Sequence, residues 1–160
     1  MKAILKTALS TTAALVVLAV PAFAENHGGM GDAAAGENDF KKCKSCHAII
    51  DDSGEAIVKG GKTGPNLYGV IGRHAAGTDF NYGDGLVELG ETGMIWTEEL
   101  LTAYLTDPTA FVKEQTGDDG AKSKMTFKLK DGADVAAYLA TFSPDMPAEE
   151  GAAEETPASN

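Results

Sequence analysis

Cysteine is nearly missing from this chain: there are two in 160 residues, three positions apart. A scaffold stapled by several disulfides is thereby excluded. Basic side chains are scarce too, 13 against 24 acidic ones. A surface with that balance repels nucleic acid, whose phosphates require positive charge. No stretch of any length alternates apolar and polar residues as a half-buried strand does, and no segment repeats. Aromatic residues make up only 7% of the chain, whereas glycine, at 19, is plentiful, above all in the middle third. So few large apolar groups leave burial by protein alone marginal, and the glycines suggest backbone wrapped closely around a body the polypeptide does not itself supply.

The only strongly apolar run stands at the start. Lys2 and Lys6 precede Ala13 to Val20, and Ala22-Phe23-Ala24 forms a small-x-small site before Glu25. That order reads as a secretory signal peptide, residues 1–24. An uncleaved anchor is disfavoured, because the run falls short of the ~20 residues that span a bilayer and Pro21 interrupts it. Cleavage removes two lysines and no acid, so the net charge of −11 becomes −13. Residues 25–31 read as a flexible leader, residues 32–143 as one domain, and residues 144–160, rich in Ala, Glu and Pro, as a disordered acidic tail.

Within the domain the periodicity predicts an all-α fold: three main helices with short helices and long loops. Asp32 caps a first helix running to His47, on which Gly36, Phe40, Cys43 and His47 share one face. Residues 48–64 read as a loop, 65–71 as a short helix, and 86–89 as a weak turn. Thr97 caps a second helix, with Leu100, Leu101, Tyr104 and Leu105 as its apolar stripe; Asp107-Pro108 ends it and starts a short successor. A loop over 116–130 leads to a last helix capped by Asp131, with Val135, Tyr138, Leu139 and Phe142 inward.

Chemistry concentrates in Cys43-Lys44-Ser45-Cys46-His47. Two cysteines at i and i+3 followed at once by histidine form the attachment signature of haem c. The spacing lets both sulfurs reach one porphyrin while the imidazole turns to its iron. A thioredoxin-like redox pair would need a preceding strand, and none is expected. A zinc site would need further nearby ligands, yet His27 lies in the leader and His74 stands alone. One axial histidine leaves a sixth position. Met30, Met94, Met125 and Met146 are candidates for it, and Met125 is favoured because its long loop precedes the last helix. A thioether there makes an electron carrier; an open or labile site makes a haem enzyme or gas sensor.

The ordered set Gly36 with Phe40, CKSCH, Lys62 to Gly72 (KTGPNLYGVIG) with Arg73, Phe80-Asn81-Tyr82-Gly83, Trp96 with Tyr104, Asp107-Pro108, and Lys122 to Lys128 (KSKMTFK) spans nearly the whole domain. In these residues the chain resembles class I cytochromes c, most closely the cytochrome c2 and cytochrome c-550 type of photosynthetic and denitrifying bacteria. The resemblance implies a small cytochrome c fold around one haem c held by thioethers to Cys43 and Cys46. Its iron would be ligated by His47 and Met125. Pro65 would accept the outer imidazole proton, Arg73, Tyr82 and Trp96 would bond the haem propionates, Tyr104 would approach the Met125 sulfur, and Gly36 would let the first helix touch the last at Tyr138. The stretches 48–64 and 109–124 are longer than in mitochondrial cytochrome c and resemble the long-loop bacterial branch.

Lysines gather in sequence around the two ligand-bearing segments: Lys42, Lys44 and Lys62 near one, Lys122, Lys124 and Lys128 near the other. On an acidic body they would make a positive docking face that orients the molecule before contact. The resemblance implies a monomeric periplasmic carrier, with a cytochrome bc complex as donor and a terminal oxidase, photosynthetic reaction centre or periplasmic reductase as acceptor.

Overall fold

The computed structural model describes residues 31–143. The expected signal peptide, most of the leader, the acidic tail, and with them Met30 and Met146, lie outside the described residues. Helices dominate: α1 (Ala33–Phe40), α2 (Asp84–Glu91), α3 (Glu98–Thr106), α4 (Pro108–Thr116) and α5 (Ala133–Ala140), with two short strands, β1 (Ile49–Ile50) and β2 (Ala56–Val58). Among the described residues no helix is long and apolar enough to cross a membrane.

Asp32 caps α1, its carboxylate accepting from the backbone N–H of Ala34 (2.8 Å) and Ala35 (3.2 Å). The helix stops at Phe40, earlier than its apolar face suggested. Three-residue hydrogen bonds, Lys42 N to Asp39 O (3.0 Å) and Cys43 N to Phe40 O (2.8 Å), replace the four-residue ladder and carry the chain onward as tight turns. The expected loop over 48–64 contains an antiparallel pair, Ile49 opposite Val58 and Ile50 opposite Ala56, too short to leave a pattern in the sequence. Asp51 shapes its turn by accepting from Ser53 N and Glu55 N, each at 2.9 Å. Residues 65–71 form turns instead of a helix, because Gly69 (φ 65°) and Gly72 (φ 85°) take left-handed backbone conformations.

The weak turn over 86–89 is in fact the full helix α2. It packs on α4 at Gly85, where a Cβ would lie 2.2 Å from Val112 Cγ1. Thr97 caps α3 by accepting from Leu100 N (3.1 Å), and Asp107 caps α4 by accepting from Ala110 N (3.1 Å), with Pro108 in the first turn. Asp131 sits one residue outside the cap position of α5, which Gly132 occupies, but its carboxylate still accepts from Ala133 N (3.1 Å).

The two ends of the domain close it. α1 lies against α5 so tightly that a Cβ on Gly36 would stand 1.9 Å from Asp134 O and 2.8 Å from Tyr138 Cβ. Phe40 and Tyr138 pack ring to ring at 5.5 Å, and Asp32 N donates to Asp134 Oδ1 at 2.8 Å. α3 also packs on α5. Phe40, Ile49, Val112, Val135 and Leu139 are fully buried in the one core these and the other elements share, each contributing on the order of 1.5–3 kcal/mol by leaving water.

Candidate haem-binding site

The turns after α1 give the two cysteines opposite environments. Cys43 is buried in the hydrophobic core, and burial, with Asp39 nearby, pushes its thiol up to about 11. Cys46 is exposed, and hydrogen bonds from Thr63 and Ser45 hold its thiol below the ordinary value.

His47 follows on a fixed mount. Its Nδ1 lies 2.8 Å from the carbonyl oxygen of Pro65. A carbonyl only accepts, so Nδ1 carries the proton and Nε2 keeps its lone pair for a metal. Burial lowers the affinity of the ring for a second proton, outweighing the opposite effect of the Pro65 bond. The ring rests on Gly64, where a Cβ would come within 2.4 Å of Cε1 and 2.7 Å of both ring nitrogens. Gly64 N donates to Cys46 O (2.9 Å) and Gly61 N to Lys44 O (2.9 Å), so this glycine-rich segment is laced along the backbone of the motif.

Met125 is half-buried and packs against the same core as Cys43. Its backbone N–H donates to Ser123 Oγ (3.1 Å), and that hydroxyl also bonds the Tyr104 hydroxyl of α3 (2.8 Å). Tyr104 is buried, which raises its phenol above the ordinary value. Leu129 N to Leu105 O (2.8 Å) and the Lys128–Asp107 ion pair fasten the far side of the segment to α3 and the start of α4.

Arg73 is half-buried and donates through Nη1 to Tyr68 O (3.0 Å) and through Nη2 to Asn66 O (3.1 Å); burial lowers its pKa. Its backbone pairs with Trp96, whose N–H donates to Arg73 O at 2.9 Å. Trp96 is itself buried, with rings of Tyr104 and Phe111 at 5.2 and 5.7 Å. The Tyr82 hydroxyl bonds Thr78 Oγ1, and the Tyr82 carbonyl accepts from Lys124 Nζ at 2.7 Å.

The residues singled out in the sequence thus gather in three groups: Cys43, Cys46, His47 and Pro65; Arg73 with Trp96; and Tyr104 with Met125, to which Lys124 joins Tyr82. Among the described residues no hydrogen bond links the His47 group to the Met125 group; they share a core. Ser123 was not foreseen. Its only signal is a position two residues before a candidate ligand, on a segment read as loop. Asn66 was likewise unforeseen as the residue that ties this region to the hairpin, accepting from Ile50 N (2.9 Å) and donating to Ile50 O (2.6 Å).

The donor set fits a covalent haem: two thiols at i and i+3, an imidazole with its outer nitrogen tied and its inner one free, a thioether on the same core, and a glycine where any side chain would dislodge the ring. Together with the all-α frame closed by α1 and α5, it defines a class I c-type cytochrome.

No protein-family model matches the chain. Curated relatives do. It is 53% identical over 136 residues to cytochrome c-551 of Roseobacter denitrificans, covering 84% of this chain and 94% of the relative. It is 56% identical over 135 residues to cytochrome c2 of Rhodobacter capsulatus, covering 82% and 93%. The solved structure of ferric cytochrome c-550 from Paracoccus versutus superposes with a TM-score of 0.69 at 55% identity, covering 71% of this chain and 99% of that one. The chain belongs to the cytochrome c2 and cytochrome c-550 family of photosynthetic and denitrifying bacteria. As such it carries one covalent haem c and is an electron carrier, not an enzyme.

Proposed function

We propose that this chain is a periplasmic single-electron shuttle, exported by a signal peptide cleaved after Ala24, that accepts electrons from a cytochrome bc complex. It delivers them to a terminal oxidase, photosynthetic reaction centre or periplasmic reductase. Cys43 and Cys46 would hold the haem through thioethers, and His47 and Met125 would supply the nitrogen and sulfur donors to its iron. The observation that carries this reading is the His47 mount, an imidazole with Nδ1 committed to Pro65 O at 2.8 Å and Nε2 free.

When bound, haem supplies the one-electron chemistry. The chain's own residues set how easily that electron moves. Pro65 holds the imidazole in one tautomer and orientation, so the ligand need not reorient. The Met125 sulfur is soft and favours the reduced state, and a buried site disfavours added charge, so both raise the potential. Arg73, Tyr82 and Trp96 would bind the propionates; two of the five guanidinium N–H donors of Arg73 are spent on carbonyls, which leaves the others to share.

Docking uses the lysine-rich face, Lys42, Lys44, Lys62, Lys122, Lys124 and Lys128, against acidic partner surfaces, and the exchange slows as salt rises. Lys42 is paired with Asp39 and Lys128 with Asp107, both at the exposed surface where such pairs are weak and easily exchanged. The carrier works as a monomer.

Replacing Met125 by alanine tests the ligand assignment. The weak ferric-thioether charge-transfer absorption at the red end of the visible spectrum should vanish while the haem stays attached, and the reduced variant should bind carbon monoxide readily. Survival of that band in Met125→Ala would show that another group is the sixth ligand.

A further inference from the structure

Three lysines from two segments of the chain meet beside the attachment motif. Gly61 N donates to Lys44 O at 2.9 Å, and a Cβ on Gly60 would lie 1.8 Å from His47 O and 2.9 Å from Lys44 O. Lys59 and Lys62 flank that glycine pair and are thereby held against the backbone of Lys44. All three lysines are exposed, and among the described residues their ammonium groups make no hydrogen bond or ion pair. The nearest acids do not answer them. Asp39 is paired with Lys42, and Asp51, Asp52 and Glu55 stand at the turn of the hairpin, whose register sets Ile49 opposite Val58 and so puts Lys59 at its other end. Lys122 also lacks a partner, but no described hydrogen bond ties its segment to this patch. Like charges gathered without a counter-charge around the exposed Cys46 form a seat for an anionic occupant.

The chain itself carries such an occupant. Residues 144–160 contain Asp145, Glu149, Glu150, Glu154 and Glu155 and no basic residue. They follow the end of α5 at a point close to the motif: Gly69 N donates to Phe142 O at 3.1 Å, and Leu67 N donates to Ala48 O at 3.1 Å, next to His47. Traced through those two bonds, Phe142 lies at most roughly 35 Å from Lys44. Glu154 is twelve residues beyond Phe142, an extended reach of about 40 Å. We propose that residues 144–160 fold back on the Lys44, Lys59 and Lys62 patch as an internal counter-charge, and that an acidic redox partner docks there only by displacing them. The proposal rests on the reading of the lysine-rich face as the docking surface. Because the link is intramolecular, the segment competes at an effective concentration in the mM range. Exposed ion pairs are individually weak, so it yields to a partner whose carboxylates are denser and better placed, and it turns away one whose acids are sparse.

The test uses the full haem-loaded chain in which Asp145→Asn, Glu149→Gln, Glu150→Gln, Glu154→Gln and Glu155→Gln are combined. A control converts five exposed acids elsewhere, Glu88, Glu91, Glu99, Glu114 and Asp119, to their amides. At about 0.1 M salt, where charges are screened beyond about 10 Å, the neutral-tail variant should bind poly-L-glutamate about fivefold more tightly than the control. That is the size expected when two or three exposed ion pairs no longer have to be given up. At about 1 M salt the two should bind alike. In amide NMR spectra of the reduced protein, residues 44–46 and 59–62 should shift between the parent and the neutral-tail variant, while residues 111–116 stay in place. With Lys44→Gln, Lys59→Gln and Lys62→Gln present, neutralising the tail should move neither readout. Parental shifts at 44–46 and 59–62, or shifts confined to 122–128, would overturn the proposal. So would equal binding by the neutral-tail variant and the control while the triple lysine variant binds more weakly than the parent, since the tail would then not compete. Failure of the docking reading looks different: the triple lysine variant would bind poly-L-glutamate as tightly as the parent, and the amide shifts alone would decide where the tail lies.

Discussion

Placing a methyl group on Gly64 should dislodge the His47 imidazole without touching it chemically. The Cβ of Gly64→Ala would stand 2.4 Å from His47 Cε1 and 2.7 Å from both ring nitrogens, whereas carbon atoms in contact settle at about 3.5 Å. The ring must retreat by roughly 1 Å. The bond from Nδ1 to Pro65 O is now 2.8 Å, so a retreat of that size along the bond exceeds the limit of hydrogen bonding at about 3.5 Å. Two costs add: overpacking, about 1–3 kcal/mol, and a buried N–H and carbonyl left poorly paired, about 1–3 kcal/mol. A total of about 3 kcal/mol, in the lower half of that combined range, is expected from denaturant unfolding of the haem-loaded variant, a fall of roughly 1–2 M in the urea midpoint. The reduction potential should shift as well, because the imidazole loses the partner that tunes its basicity. Gly54→Ala is the contrast. Gly54 has φ 86° and nothing within 4 Å of its Cβ, so alanine there meets only backbone strain of about 1–2 kcal/mol and should leave the potential unchanged. Should Gly64→Ala unfold at the parental urea concentration with the parental potential, the ring is not seated on Gly64 and the reasoning about the mount is wrong.

Gly36→Ala should separate the two terminal helices: its Cβ meets Asp134 O at 1.9 Å and Tyr138 Cβ at 2.8 Å, atoms that cannot swing aside. Overpacking of about 3 kcal/mol, offset by about 1 kcal/mol of helix propensity, leaves a net loss near 2 kcal/mol, read as a fall of roughly 10 °C in Tm. At Asp107 the hydrogen bond from Lys128, with that from Ala110 N, holds the carboxyl below its ordinary value of 3.8. Its folded pKa is depressed, so its contribution to stability is complete above the unfolded value and fades as pH falls through the lowered one. Asp107→Asn should flatten that part of the acid-unfolding curve, and an identical curve for the variant would contradict the assignment.

Much of this arrangement was legible in the sequence, for identifiable reasons. CKSCH announced its chemistry through spacing, and Asp32, Thr97 and Asp107 announced helix starts through the capping chemistry of their side chains. The end of α1 was not legible, because Gly36, Phe40 and Cys43 keep one face whether the turns after Phe40 are wide or tight. The hairpin escaped notice because two- and three-residue strands carry no period, and it is held from outside by Asn66. α2 was underestimated, since the glycine at 85 that weakens it as an isolated helix is what lets it lie on Val112. The mount of His47 combined a motif visible in one place with a carbonyl 18 residues later, a link no local pattern encodes. Ser123 and Lys124 gain their roles only from partners 19 and more than 40 residues away.

The contact of α1 with α5 joins the beginning of the described residues to their end, across 102 residues at the Asp32–Asp134 bond. Helices of eight or nine residues do not persist alone in water, so neither partner can hold its shape until the other arrives. A polypeptide that has not yet made α5 therefore lacks the surface on which α1 packs, and the contact between the two helices forms only once the last of them is present. A chain truncated before Asp134 would lack the surface on which its first helix depends, and the thiols beside that helix would stay open to whatever machinery or oxidant reached them first.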